Sequence, residues 1–286
     1  MSTAVPQHGG EWVISSAVPG PVRMLAQVWT HRRLLYFLAV RTLRKMYRRT
    51  LLGWLWLFII PLFPIALRTL VFGGLLGVTS EGIPYFLFLT AGQLLWDLFA
   101  VGLTWGTRGL ELHGGVHDVY VPRVIMPLGA MAPAFLDLAI KTGVLALVVV
   151  YFWIRDGRTY IVVGAPLLLV PVAALLTMLF AMGIALFTSV WSEQARDTRF
   201  ALGQVLAIWY LLTPILYPLS SVPESWRPWT VLNPMAAIVD TFKYALLGVG
   251  QADLRMFAAA GLATVMLFVA GIRYFASRDA AAIDAR

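Results

Sequence analysis

Six long apolar stretches decide what this chain can fold into. They run at roughly Gly53–Val78, Pro84–Thr107, Ile125–Trp153, Tyr160–Trp191, Phe200–Leu219 and Leu254–Phe275. A helix of about 20 apolar residues crosses a hydrocarbon core of about 30 Å. All six reach that length, and the third and fourth can tilt or project beyond it. The surrounding composition agrees. Of 286 residues, 60% are hydrophobic and 13% are charged, and the mean hydropathy is +0.79. A soluble domain of this size cannot bury so much apolar surface in one core. The expectation is an all-α polytopic membrane protein with six transmembrane helices. There is no cysteine, which excludes disulfides, iron–sulfur clusters, thiolate zinc sites and cysteine nucleophiles.

The remaining segments have simpler readings. Residues 1–22 are polar and rich in Gly and Pro, and are expected to form a flexible, uncleaved cytoplasmic tail. Residues 23–52 are basic and amphipathic. Arg41, Arg44, Lys45, Arg48 and Arg49 share a polar face, while Trp29, Leu34, Leu38 and Leu43 are among the apolar partners. Such a helix lies in the membrane interface, its cations among anionic head groups. Residues 53–276 form the six-span domain, and 277–286 a second cytoplasmic tail. Between about 220 and 250 the apolar pieces are too short to span and are broken by Pro223, Pro228 and Pro234. Two short re-entrant helices are expected there before the last span, their backbone groups satisfied only against protein or water.

Lysine and arginine set the orientation. With the N-terminus inside, eight precede the first span, and Arg108, Arg123, Arg196, Arg199, Arg273, Arg278 and Arg286 fall on the same side. The opposite side holds only Arg155, Arg158, Arg227, Lys243 and Arg255. This bias predicts both termini in the cytoplasm and a multi-pass membrane location. It also accounts for the net charge of +8 without nucleic acid.

Several residues carry possible chemistry. Arg68, Asp97, Asp137 and Lys141 are ionisable groups inside apolar spans, where they are costly. Asp137 and Lys141, four apart with the acid first, read as a self-neutralising pair. Asp97 has no obvious local partner, and Arg68 either snorkels or pairs across helices. Tyr210, Tyr217, Trp226 and Trp229 crowd the outer side, as an interfacial belt or as rings that stack on sugars at a channel exit. Gly73–Gly77 and Gly102–Gly106 are small-xxx-small pairs that permit close helix contact. The loop Arg108–Pro122 carries Glu111, His113, His117 and Asp118. It can pass force from a partner, or serve only as a connector. His113 and Asp118 also match an H-x4-D acyltransferase spacing, with the carboxylate orienting a histidine base. No catalytic, cofactor or metal site is assigned. No G-x-x-x-x-G-K-[ST] phosphate loop occurs, so ATP hydrolysis is not expected in this chain.

The ordered motifs resemble a family. Tyr47-Arg-Arg-Thr-Leu-Leu-Gly-Trp-Leu-Trp56 leads into the first span, and Val121-Pro-Arg-Val-Ile-Met-Pro-Leu128 into the third. Arg196-Asp197 follows the fourth, and Leu212-Thr-Pro-Ile-Leu-Tyr-Pro218 ends the fifth. Val222-Pro-Glu, Leu232-Asn-Pro-Met and Phe242-Lys-Tyr-Ala-Leu-Leu-Gly248 come next. Over about residues 30–275 the chain looks like a permease subunit of type-2 ABC exporters for polysaccharide or polyol-phosphate polymers, such as O-antigen, capsule or teichoic-acid-type chains. The resemblance implies two copies of the chain around a channel in the cytoplasmic (inner) membrane. Two separate P-loop ATPase subunits would carry ATP and Mg, and a lipid-linked glycan would be the substrate. The loop with Glu111, His113, His117 and Asp118 would contact the ATPase. An exporter of drugs or lipids is the nearest alternative. A membrane-embedded acyltransferase using His113 and Asp118, and a proton-coupled carrier using Asp97, are more distant ones.

Overall fold

The structure is a computed structural model that describes residues 3–6, 12–15, 21–47, 55–113, 122–250 and 253–284. Helix α4 (Tyr85–Thr107) has apolar residues on every side, Gln93 and Asp97 apart, and takes the centre of the bundle. In α4, 78% of its most apolar window is buried, against 11% for the span Phe58–Leu75. Helices α7 (Ala132–Asp156) and α8 (Leu169–Gln194) pack on α4, and α12 (Leu254–Asp284) packs on α8. The shorter α11 (Pro234–Leu247) closes the space between α4, α8 and α12. At the margin lie α3 (Trp56–Arg68), which continues as a π-helix over Thr69–Leu75, and α9 (Asp197–Leu212).

Glycines set the helix spacing. A Cβ on Gly106 of α4 would fall 2.8 Å from the Ala185 Cβ of α8. A Cβ on Gly271 of α12 would fall 2.6 Å from the Gly183 carbonyl oxygen of α8. In lipid, where apolar surface gains little from association, such close backbone approach is a main source of packing energy. The Gly102–Gly106 pair acts as the sequence suggests. Gly77 does not, since it ends the π-helix at φ +60° in open space. The Gly183–Gly271 contact joins distant helices and has no local signature.

Among the described residues, five helical segments have the length and apolarity to cross a membrane: Phe58–Leu75, Tyr85–Thr107, Ile125–Asp156, Ala165–Gln194 and Leu254–Arg278. The third includes the short α6 (Ile125–Ala130), set off from α7 by Met131. The fifth expected stretch, Phe200–Leu219, differs. Helix α9 stops at Leu212, and Pro214 and Pro218 keep the following residues out of the helix. Its 16 residues rise about 24 Å, short of the usual core thickness.

The N-terminal segments also differ in detail. Within the expected tail, β1 (Thr3–Pro6) pairs antiparallel with β2 (Trp12–Ser15). The single expected interface helix is two, α1 (Pro21–Thr30) and α2 (Arg32–Tyr47), broken at His31. Helix α2 buries Leu38 and Thr42 against α6, where Gly129 leaves room for the Leu38 side chain. Its exposed surface mixes Arg32, Arg33, Arg44 and Lys45 with Tyr36 and Phe37. Arg48 and Arg49 lie outside the described residues.

Two short helices stand where re-entrant ones are expected. A 3-10 turn at Leu219–Ser221 leads to α10 (Arg227–Val231) and then α11. Asn233 caps α11 by accepting a hydrogen bond from the Met235 amide at 3.1 Å, and Pro234 occupies the first helical position. Gly248, at φ +69°, ends it. With 14 residues, α11 is too short to span, yet most of its side chains are buried. Protein contacts therefore satisfy it, as a non-spanning helix in a membrane bundle demands.

Candidate functional site

Three groups of polar or aromatic side chains stand out, one on each face of the bundle and one inside it. On the face that carries α2, the short α5 (Gly109–His113) opens the loop after α4. Glu111 accepts a hydrogen bond from Arg199 at the start of α9, at 2.5 Å. Lys45 of α2 donates to the Leu112 carbonyl at 3.2 Å. Arg123, just before α6, pairs with Glu193 at the end of α8 at 2.6 Å. The loop is thus tied both to α2 and to the start of α9. Exposed ion pairs of this kind stabilise weakly, so their value lies in geometry. Lys45 and Arg199 thus meet the same short helix. Arg41 and Arg44, also expected here, have no part in these bonds. His117 and Asp118 lie outside the described residues.

Inside the bundle, the four intramembrane charges form one connected network. Lys141 of α7 donates to Asp137, one turn earlier, at 2.7 Å, and also to Asp97 of α4. Asp97 in turn accepts from the Gln93 amide nitrogen at 2.8 Å. The Gln93 carbonyl oxygen accepts from Arg68 of α3 and from Tyr210 of α9, each at 2.8 Å. The Arg68 guanidinium lies 4.8 Å from the Tyr210 ring centre. The sequence reading of a self-contained Asp137–Lys141 pair is therefore incomplete. Two carboxylates share Lys141, and Arg68 supplies the balancing charge through a neutral amide. Gln93, the hub, has no signal in sequence beyond being polar within an apolar helix.

On the face opposite α2, aromatic side chains line a cavity of about 690 Å³. Trp209, Tyr217, Trp226 and Trp229 form its walls, with Leu212, Val222, Pro223 and Leu232. Of the four expected aromatics, Tyr217, Trp226 and Trp229 meet there. Tyr210 does not; it points to Gln93 and stacks edge-on against Trp96, ring centres 5.4 Å apart. Trp209 takes its place, held by a 2.9 Å bond from its indole nitrogen to Asn233. The hydroxyls at the rim are engaged internally: Tyr217 with the Leu211 carbonyl, Ser221 with Pro218, and Thr230 with Arg227. The cavity thus offers mainly ring faces.

Two further residues hold this face together. Lys243 of α11 is buried and donates to the Pro214 and Ile215 carbonyls at 2.7 and 3.2 Å. It satisfies the backbone where α9 breaks off. Its count among the outer charges is therefore a different role from its structural one. Glu81 joins the loop between α3 and α4 to both ends of the 219–250 region. It accepts from Ser220 and, at 2.7 Å, from the Gly250 amide. Glu81 holds φ +56°, an uncommon conformation for a non-glycine residue, which these two bonds help to fix. Among the described residues, no group of His, Asp and Glu could hold a metal ion.

A bundle of membrane-length helices, a polar network within it, and a loop pinned to its neighbours on one face define a multi-pass integral membrane protein. The chain belongs to the ABC-2 type transporter family, whose match covers residues 33–247. It is 24% identical over 260 residues to the O-antigen export system permease protein RfbA of Myxococcus xanthus, covering 90% of this chain and 96% of that one. It is 24% identical over 251 residues to the polysialic acid transport protein KpsM of Escherichia coli, covering 85% and 93%. A second O-antigen export permease, RfbA of Klebsiella pneumoniae, is 23% identical over 207 residues, covering 72% and 77%. The family read from the ordered motifs is therefore the family of the chain, and its members are membrane subunits.

Proposed function

We propose that this chain is the channel-forming subunit of an ATP-driven exporter of a lipid-linked polysaccharide. Two copies would surround the channel, and two copies of a separate P-loop ATPase would bind the face that carries α2. That face would be cytoplasmic, both termini with it, in a cytoplasmic (inner) membrane crossed six times, α9 and its extension making the fifth crossing. ATP and Mg would be held by the ATPase. The similarity to polysaccharide export proteins along nearly their full length supports the substrate class.

The observation that carries the mechanism is the double tie of α5. Glu111 grips Arg199 on α9, and Leu112 grips Lys45 on α2. A push on this loop from below reaches a membrane helix and the interface helix together. Helix α9 is weakly packed, so it can respond. At the opposite face the aromatic cavity suits the apolar faces of sugar rings, which need flat, sequence-independent contacts during processive movement.

A second reading, export of a lipid or drug, draws on one observation. The rim hydroxyls of the cavity are already engaged, which leaves an apolar lining suited to a hydrocarbon.

Co-purification tests the proposal. The tagged chain is expressed with its chromosomal neighbours and isolated in mild detergent. A stoichiometric P-loop ATPase, with ATP turnover that needs both chains and loss of surface glycan on deletion, is expected. A chain that purifies alone overturns the proposal. Loss of lipid or drug efflux with intact surface glycan favours the second reading. A cysteine at Ser221 should react with an impermeant reagent from outside; reaction only from the cytoplasm overturns the orientation.

A further inference from the structure

We propose that Gln93 is a positioning residue that clasps α3 and α9 to α4 through a single oxygen atom, and that this clasp opens when the two helices part during transport. The second half rests on the proposed function; the first stands on geometry alone.

Helices α3 and α9 lie at the margin of the bundle and bury little of their surface. Among the described residues of α9, only Leu206 is buried. In hydrocarbon, apolar side chains gain little by leaving lipid for protein, so such helices are located by close packing or by polar bonds. Here the polar bonds converge. Arg68 and Tyr210 both donate to the Gln93 Oε1 at 2.8 Å, and Arg68 also rests over the Tyr210 ring. Release of one oxygen would free both helices.

Glutamine suits this position for a stated reason. Its amide has one oxygen with two lone pairs and an NH2 group that donates. The neighbour on the far side is Asp97, whose carboxylate only accepts when ionised. The amide must therefore turn its nitrogen toward Asp97 and its oxygen toward Arg68 and Tyr210, which fixes the assignment. Lys141 holds Asp97 from below, so the hub cannot swing without disturbing a balanced set of two cations and two carboxylates. Leucine of similar size supplies none of these bonds.

The absence of cysteine makes the test direct. Nitroxide labels are placed at Leu67→Cys and Leu211→Cys, next to Arg68 and Tyr210 and exposed to 49% and 59%. The labelled chain is diluted with unlabelled protein and reconstituted in lipid nanodiscs, and the intrachain distance distribution is measured. A single narrow distribution is expected with Gln93 intact. Q93L should shift it to longer distances and broaden it. Y210F, which removes one hydroxyl and keeps the ring, should broaden it through α9 alone. If Q93L does not fold, Y210F decides. Distributions unchanged in the folded variants overturn the clasp. The intact chain with its ATPase and a non-hydrolysable ATP analogue should move toward the Q93L distribution. No movement in a complex that exports overturns the opening step. If no ATPase binds, the proposed function fails while the nanodisc measurement still judges the clasp.

Discussion

Lys243 Nζ lies 3.5 Å from the centre of the Phe88 ring, which joins α11 to α4 at the point where α9 breaks off. The ammonium donates to two carbonyls that the broken helix cannot satisfy itself, and the ring face receives its charge. Gly92 makes this possible, since a Cβ there would fall 2.8 Å from the Lys243 Cε. K243M keeps the volume and removes the donors. An unsatisfied buried acceptor costs about 1–3 kcal/mol and K243M strands a pair of them, so it should lower stability by about 2–6 kcal/mol, read as a fall in the thermal midpoint in detergent. G92A should destabilise as well, by about 1–3 kcal/mol from overpacking. The double variant G92A/K243A should lose less than the sum of the two single variants, because the clash disappears with the lysine. Additive losses would show that the two residues act independently.

Lys141 serves two carboxylates, so the order of removal matters. K141M leaves Asp97 and Asp137 close together without their cation, and breaking a buried pair costs about 3–5 kcal/mol. K141M/D137N removes one of the stranded charges and should recover about half of that loss. The check is thermal unfolding of the three proteins under one detergent condition. A double variant as unstable as K141M would show that the shared lysine is not what holds the carboxylates. D97N also addresses the carrier reading. In an ATP-driven exporter D97N lowers stability and leaves transport insensitive to a proton gradient, whereas a proton carrier loses transport outright.

The legible and the hidden parts of this protein divide along physical lines. Apolar length is local, so the five long spans could be located from sequence. Proline placement is local too, and Pro223, Pro228 and Pro234 mark the broken region before the last span. It did not reveal that α9 ends at Leu212, because the apolar run continues to Leu219 although the helix does not. Arg68, Asp97, Asp137 and Lys141 are conspicuous as charges in apolar helices. Their connection is not, because it passes through Gln93, a neutral residue, and joins positions 25 and 44 residues apart. Lys243 reads as a loop charge until α11 is seen to be buried nearly all round; a lysine three residues after Asp240 on such a helix is then buried and must find acceptors inside the protein. Glu81 gave no signal, since its partners Ser220 and Gly250 lie far along the chain.

The Glu111–Arg199 pair is exposed, so it should matter little for stability, by about 0–1 kcal/mol. Its expected effect is on coupling. E111R and R199E should each reduce export per ATP hydrolysed, and the swapped pair E111R/R199E should restore most of it. The measurement is glycan export and ATP turnover in the same membranes. Failure of the swap to restore coupling, with normal protein levels, would remove the pair from the transmission path.

Trp226 and Trp229 stand at the cavity with 64% and 66% of their surfaces exposed, so each can be shortened without opening a core. W226A and W229A should change stability by no more than about 0.5 kcal/mol. If the rings stack on a passing sugar chain, each loss should slow export while ATP turnover continues. A tenfold slowing corresponds to about 1.4 kcal/mol, the range of one lost ring contact. W229F, which keeps a flat face, should recover most of the rate, whereas W229L of comparable hydrophobicity should not. That contrast separates stacking from greasiness. Equal rescue by phenylalanine and leucine would favour a hydrocarbon in the cavity, and a parallel fall in export and ATP turnover would mean that the tryptophans act through the fold.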